Sequence, residues 1–386
     1  MDSTWNRELE PLTARLLHHY RNGTTDMASE IYKVDVTQYT DEERFKVEVE
    51  NIFRRRPLLL ALSVELPVPG NFKKLDIADV PILLVRGRDG AIKSFMNVCR
   101  HRGAPVAIED RGSARRFICP YHAWSYNLDG SLAGVAKERT FGHVDSDRHG
   151  LVELPCVERD GVVWGMLTPG ATLDLDAHLG ELGPEIAKMQ LDSLHHGASR
   201  RALTGNWKLA ADTYLENYHL AFLHTTTLYR ATGTSNISAV DMYGVHQRMA
   251  TPRKRIGELD GEDLSGKNQF DYFSLNYTIF PNTVLLITPE GVLVAQVFPG
   301  ATVRESITLM EFFSARPRVT EEDEKSFAAR VDVLTHAIQN EDYWMQDQVQ
   351  RGLRSGANTH LTFGRNELLL HHFHTEIDQA LAVTSG

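Results

Sequence analysis

The sequence predicts a two-part α+β chain: a small all-β module, then a larger α+β region in which an antiparallel sheet is flanked by helices. Three observations carry this. From Leu58 to Leu167, short apolar runs such as "PILLVRGRDGAIKSFMNV" and "DGVVWGMLTP" are separated by Gly, Asp and Asn. After Pro169 helical patterns appear, including "NWKLAADTYLENYHLAFLH". The stretch "FDYFSLNYTIFPNTVLLITPEGVLVAQVFPGATVRESITLMEFFSA" then brings β-branched and aromatic runs, with turn signals at "FPN", "PEG" and "PGA". A chain of 386 residues also exceeds one ordinary core.

Taken in order, the first 45 residues are polar with short helical patches. "DEERFKVEVENIFRRRP" reads as a helix, with Phe45, Val49 and Phe53 recurring on one face and Pro57 closing it. "GRDG" between two apolar runs signals a hairpin. In the second region Thr320 begins a helix in which Phe327, Val331, Leu334 and Ile338 line one face. A further helical segment runs from Asn340 to Leu353. The expected division is 44–166 for the β module, and 1–43 with 167–386 for the larger domain.

Bulk properties exclude some functions. The formal net charge of -10 repels a phosphate backbone, so no nucleic acid partner is expected. The N-terminus has no apolar stretch of signal-peptide length, and no segment reaches about 18 uncharged apolar residues. The longest candidate, Pro281 to Pro299, is broken by Asn282, Pro289, Glu290 and Gly291. The expectation is a cytoplasmic protein with no membrane partner. The odd cysteine count, Cys99, Cys119 and Cys156, argues against a disulfide framework. Cys156 reads as a small buried residue in a strand.

The other two cysteines form the strongest local signal. Cys99-x-His101 is followed, after 17 residues, by Cys119-x-x-His122. Two close Cys–His pairs point to a metal site. Structural zinc usually places two to four residues between paired ligands, so a one-residue gap ending in His is unusual for it. A [2Fe–2S] cluster with two Cys on one iron and two His on the other suits the mixed pairs. Trp124 reads as packing around such a site. A second constellation, Glu216, His219 and His224, sits in the helical pattern after Pro169. His219 and His224 are about 140° apart on a regular helix, so shared metal ligation requires the helix to end, bend or carry a π-type turn.

At this point the sequence resembles a known family. "CRHRGAP…CPYHAWSYNLDG" resembles the Rieske signature of the Rieske non-haem iron oxygenases, in particular their catalytic α subunit. The resemblance implies that Cys99 and Cys119 hold one iron of a Rieske [2Fe–2S] cluster, and His101 and His122 the other. "NWK", an acidic residue, Tyr-His and a second His five positions on are similar to the family's mononuclear iron motif. The resemblance makes His219 and His224 two corners of a facial triad for Fe(II), with O2 as co-substrate. "IQNEDYWMQDQVQRGLRSG" matches the family's late acidic helix, which makes Asp342 the third corner. Glu341 and Asp347, its neighbours, read as solvent-facing charges. Glu216 takes the place of the family's bridging acid, which couples cluster and iron across a subunit interface; Asp212 is its competitor. The implied fold of the larger domain is a helix-grip, START-like one.

The same resemblance implies a homotrimer and a separate reductase or ferredoxin as electron donor. The chain shows no Gly-rich dinucleotide fingerprint of its own. The candidate pocket wall is Leu228, Tyr229, Tyr243, Phe273, Tyr277, Phe280, Leu286, Val294 and Phe298. That apolar, aromatic set favours hydroxylation of a small aromatic or alicyclic compound, by mono- or cis-dihydroxylation. The alternative is an N- or O-demethylating or quaternary-amine monooxygenase, suggested by Glu rather than Asp at 216. Outside the family, a Rieske electron carrier without oxygenase activity would lack the His219, His224, Asp342 set. Arg248, Arg253 and Arg255 are candidates to grip a carboxylate from a mobile loop. His371, His372 and His374 read as surface or packing residues.

Overall fold

The computed structural model describes residues 3–382. Its contacts divide the chain into a larger unit, running up to Ile52 and again from Leu179, and a smaller one, Phe53–His178. Against the expected 44–166, the segment before Phe53 belongs to the larger unit for a physical reason. Glu48 is wholly buried there, taking Lys208 Nζ at 2.5 Å, Trp207 Nε1 at 2.9 Å and Arg44 Nε at 3.0 Å. A buried carboxylate is tolerated only with such partners. At the other boundary, the His178 ring meets Trp164 edge-on, which keeps the segment after Leu167 with the smaller unit.

The smaller unit is almost all β. A five-stranded sheet has the order Glu153–Leu154, Ile92–Met96, Val80–Arg86, Asn71–Ile77, Arg111–Ser113. The "GRDG" hairpin joins two of these strands, with Arg86 opposite Ile92. A three-stranded sheet, Cys156–Arg159, Val162–Gly165, Leu58–Leu62, and another, Phe117–Ile118, Ser125–Tyr126, Leu132–Gly134, complete it. Cys156 is half-buried rather than buried, with its Sγ 3.9 Å from the Ile92 carbonyl. Burial still pushes its thiol up to about 12.

The larger unit is built on a seven-stranded antiparallel sheet. Its order is His195–Thr204, Ser306–Ser314, Gly291–Pro299, Thr283–Thr288, Phe273–Ile279, His246–Pro252, Ala239–Tyr243. Six strands follow one another as a meander, and the first closes onto the last. Glu10–Asn22 packs by the Ala239–Tyr243 and His246–Pro252 strands, where Arg15 pairs with Asp241 at 2.9 Å. Trp207–Asp212 and Tyr343–Leu353 pack on the other face. Thr320 caps Glu321–His336 in a reciprocal pair with Asp323. The expected break near Asn340 is instead a π-helical segment, Ala337–Asp342, between that helix and Tyr343–Leu353. The C-terminal helix is Leu368–Ala382. Among the described residues no helix is long and apolar enough to cross a membrane.

Candidate metal centres

In the smaller unit two tight loops share one backbone design. Cys99 N–H donates to the Ala104 carbonyl and Gly103 N–H back to the Cys99 carbonyl; Cys119 with Trp124, and Ala123 with Cys119, repeat the pattern. The fourth residue after each cysteine has positive φ, Gly103 at 80° and Ala123 at 56°. Glycine takes that region freely, whereas alanine is strained there. The loops therefore present like backbones, and the two imidazoles meet edge to face. Their ring centres lie 4.7 Å apart. Trp124 stacks on His101 at 5.0 Å, in the packing role expected. The Tyr126 hydroxyl lies 3.3 Å from Cys99 Sγ and accepts the Arg100 amide at 2.9 Å.

The donor set fits a mixed-ligand cluster. Both thiols are buried, and Nδ1 of His101 and of His122 is buried with no hydrogen-bond partner. Two orphaned imidazole nitrogens beside two buried thiols are costly unless something binds them.

In the larger unit the helix Trp207–Asp212 ends before either histidine. Polar side chains compete for the backbone here. Glu216 accepts the amides of Tyr218 and His219, the latter at 3.1 Å. Asn217 donates to the Ile237 carbonyl at 2.7 Å and to Thr251 at 3.2 Å. The four-residue helix Leu220–Leu223 then has His219 at its start and His224 at its end. The π-helical segment turns Asp342 inward, where it is 5% exposed.

One ligand atom from each of His219, His224 and Asp342 lies within 4.8 Å of the others. Asp342 Oδ1 is 3.0 Å from His224 Nε2 and 3.5 Å from His219 Nε2. By hydrogen-bond geometry neither His224 Nε2 nor Asp342 Oδ1 has a partner, although they lie 3.0 Å apart. Each imidazole is fixed from behind by a carboxylate: Glu216 on His219 Nδ1, and Glu341 on His224 Nδ1 at 2.6 Å. That arrangement sets the tautomer and leaves Nε2 as the donor to a metal. Burial disfavours the charged imidazoles, but the surrounding carboxylates outweigh it and both are shifted upward. Burial also pushes Asp342 up, against the pull of His224. Two imidazoles and a buried carboxylate on one face fit a divalent iron site.

The structure corrects several expectations. Glu341 is not a solvent-facing charge: its side chain is 15% exposed, and it takes His224 and the Thr227 hydroxyl, each at 2.6 Å. Asp347 accepts Thr204 at 2.9 Å. His374 is wholly buried and hydrogen-bonded, whereas His371 and His372 bond to the carbonyls of Gly364 and Gly244. The three arginines are engaged: Arg248 with Asp241 and Glu185, Arg253 with Glu290, Arg255 with Glu258. Arg248 lies within a strand rather than on a loop.

The expected pocket wall is split by strand alternation. The sheet face toward the ligand-bearing segments carries Asn276, which donates to the Tyr214 carbonyl at 2.5 Å, and Thr308, 2.6 Å from the Tyr343 hydroxyl. Leu286 is opposite Asn276 and shares that face. Tyr243, Phe273, Tyr277, Val294 and Phe298 fall on the other face, where the Tyr277 hydroxyl donates to Glu185 at 3.0 Å. Phe280 packs on Phe373 of the C-terminal helix. Leu228 and Tyr229 lie on the turn of helix that follows His224.

A cavity of about 220 Å³ opens beside the ligands. It is lined by His219, Asp342, Glu216, Asp212 and Glu367, and by apolar side chains such as Leu223 and Phe363. Among the described residues no Lys or Arg lines it.

Fold and site together define an oxygenase component with a Rieske cluster and a mononuclear iron. Residues 191–383 match the family described as ring hydroxylating alpha subunit (catalytic domain), and residues 57–152 the Rieske [2Fe-2S] domain. The chain belongs to the Rieske non-haem iron oxygenases, as an alpha subunit. It is 30% identical to the carnitine monooxygenase oxygenase subunit of Escherichia coli (strain K12) over 84% of this chain and 85% of that one. It is 30% identical to the large oxygenase component of salicylate 5-hydroxylase from Ralstonia sp, over 71% and 70% respectively. Among solved structures, a quaternary ammonium Rieske monooxygenase superposes with a TM-score of 0.77 at 22% identity, covering 91% of this chain and 96% of that one. Naphthalene 1,2-dioxygenase from Rhodococcus sp. gives 0.73 at 19%, covering 98% and 99%.

Proposed function

We propose that this oxygenase component monooxygenates a quaternary or N-methylated ammonium compound, using electrons from a separate NAD(P)H-dependent reductase. The observation that carries this is the charge of the cavity. A divalent iron at His219, His224 and Asp342 is balanced by the carboxylates of Asp342 and Glu216. Asp212 and Glu367 remain on the same wall, and no lysine or arginine opposes them among the described residues. Burial pushes Glu367 up. An excess of negative charge along a cavity wall favours a cation. The extent of similarity to carnitine monooxygenase supports the same reading. The basis for an aromatic or alicyclic substrate is weaker, because five of the nine expected wall residues lie on the far face of the sheet.

When bound, the cluster stores an electron and the mononuclear iron activates O2. The side chains prepare the site. Glu216 and Glu341 hold the protons on the Nδ1 atoms, so that both Nε2 atoms point inward. The apolar part of the wall, Leu223 and Phe363 included, limits water. Cys99, His101, Cys119 and His122 are proposed as cluster ligands. The reading includes a homotrimer in which Glu216 couples one subunit's iron site to its neighbour's cluster. Hydroxylation at a carbon bound to nitrogen consumes O2, two electrons and two protons. It yields water and a carbinol that collapses to an amine and a carbonyl compound.

The test offers the protein, with a surrogate reductase, carnitine, choline and glycine betaine beside salicylate and benzoate. Substrate-dependent O2 uptake with an amine product supports the proposal. Hydroxylated arenes alone would overturn it.

A further inference from the structure

The reaction consumes two protons for each O2, and they must reach a largely buried site. We infer that Glu367 is the proton inlet of the iron site, taking protons from an outer cavity and passing them to the inner one. This rests on the two-centre oxygenase and not on the ammonium substrate. Beside the cavity of about 220 Å³ that has His219 and Asp342 on its wall lies a second of about 660 Å³, walled by Thr24, Thr25, Asn236 and Arg365 among others. Met27 and Tyr218, also on its wall, are half-exposed, so it meets solvent. Among the described residues, Glu367 alone lines both cavities. It stands just before the C-terminal helix Leu368–Ala382, where its Oε2 accepts the Gly364 amide. Its Oε1 takes no hydrogen bond and no cation pairs with it among the described residues.

A proton relay must be reachable from solvent, face the reacting site and be free of a salt bridge. The other non-ligand acids of the inner cavity fail this. Asp212 gives one oxygen to Tyr39 and the other to His374. Glu216 is held by His219 and two backbone amides. Neither lines the outer cavity. The charged and titratable groups around Glu367 are Asp212, Glu216, His219 and Asp342 on the inner wall, and Tyr218 and Arg365 on the outer one. His371, one turn along the same helix, is bound to the Gly364 carbonyl. Burial raises the Glu367 carboxyl, and the charges of Glu216 and Asp212 add to this, so it holds a proton more readily than an exposed glutamate does. No hydrogen bond joins it to an iron ligand. Water spans the gap, and the inner cavity has room for several molecules at about 30 Å³ each. Each passage leaves Glu367 unchanged: one proton arrives from the outer water as one departs inward, two for each O2 reduced by the two electrons from the reductase.

Two measurements test this. In the first, dicyclohexylcarbodiimide, which adds to protonated carboxyls in apolar surroundings, is applied to the holoprotein at pH 7, and modified glutamates are mapped by peptide mass spectrometry. Glu367 should label at least about tenfold faster than the exposed Glu321. In the second, reduced holoprotein is mixed with O2 in the presence of whichever of carnitine, choline and salicylate speeds cluster reoxidation in the wild type. Glu367→Gln, which keeps the shape and the acceptor for Gly364, should slow reoxidation at least about tenfold. Glu367→Ala should be as slow, yet recover at least about threefold in formate buffer, because a small acid enters through the outer cavity. Cluster absorption and iron content report folding and metal retention. Reoxidation of Glu367→Gln within about twofold of wild type, or a loss in Glu367→Ala that formate leaves unchanged, overturns the assignment. If no compound speeds reoxidation, or the variants do not fold, the labelling decides, and a Glu367 rate no higher than that of Glu321 overturns it. Salicylate as the only effective compound overturns the ammonium reading and leaves the inlet standing.

Discussion

Replacing Glu341 by Ala should weaken the mononuclear iron site without touching the cluster. Glu341 Oε2 lies 2.6 Å from His224 Nδ1, on a side chain only 15% exposed, so water replaces it poorly. A hydrogen bond to a charged partner contributes about 1.5–3 kcal/mol. At about 1.4 kcal/mol per tenfold, that is roughly a 10–100-fold loss of Fe(II) affinity, the range typical of carboxylates behind metal-bound histidines. Thr227, whose hydroxyl donates to the same oxygen at 2.6 Å, loses its acceptor as well. Glu341→Gln retains an oxygen that can accept the Nδ1 proton, so its loss should stay below about tenfold. The assay strips the mononuclear iron with a chelator and titrates Fe(II) back anaerobically against a competing dye. The cluster's visible absorption serves as the internal control. An affinity for Glu341→Ala within about threefold of wild type would refute the reasoning.

Asp342→Ala should lose the mononuclear iron and keep cluster absorption; loss of both together would contradict two separate centres. Glu216→Gln should retain both metals but turn over more slowly, measured as cluster reoxidation by O2 in the presence of substrate, and an unchanged rate would remove its coupling role. Cys156, its thiol pushed up to about 12, stays protonated at pH 8. Only the thiolate alkylates, so maleimide labelling of the folded holoprotein should be negligible there and rise only above about pH 11; rapid labelling at pH 8 would contradict its burial.

The candidate ligand positions were legible because metal chemistry fixes residue type and spacing locally. Cys99, His101, Cys119 and His122 lie on two short loops, and a one- or two-residue gap survives any packing around them. His219 and His224 posed a geometric problem on a regular helix, and the structure meets it by making them the two caps of the short helix Leu220–Leu223, which ends at His224. Asp342 came from family resemblance alone. Glu341 was misread because adjacent residues on a regular helix point about 100° apart. No pattern of apolar residues announces that Ala337–Asp342 is a π-helical segment.

Which residues of the expected pocket wall share a face was illegible for a different reason. Phe273–Ile279 alternates apolar residues with Ser274, Asn276 and Thr278, but its neighbours Thr283–Thr288 and Gly291–Pro299 are buried on both faces and show no alternation to set the phase of the sheet. Tyr277 attracted notice as an aromatic, but Asn276 is the residue that faces the ligand-bearing segment. Three histidines within four positions look alike in sequence, and only the helix Leu368–Ala382 decides that His374 is the wholly buried one.

The central claim is that this two-centre oxygenase inserts one oxygen atom next to a cationic nitrogen. The direct measurement is a single turnover under 18O2, with chemically reduced protein and carnitine or choline, analysed by mass spectrometry after immediate borohydride reduction of the carbonyl product, which keeps its oxygen. The account predicts one labelled oxygen atom in the reduced product and release of an amine. No reaction with either ammonium compound, alongside labelled hydroxylation of salicylate under the same conditions, would contradict it.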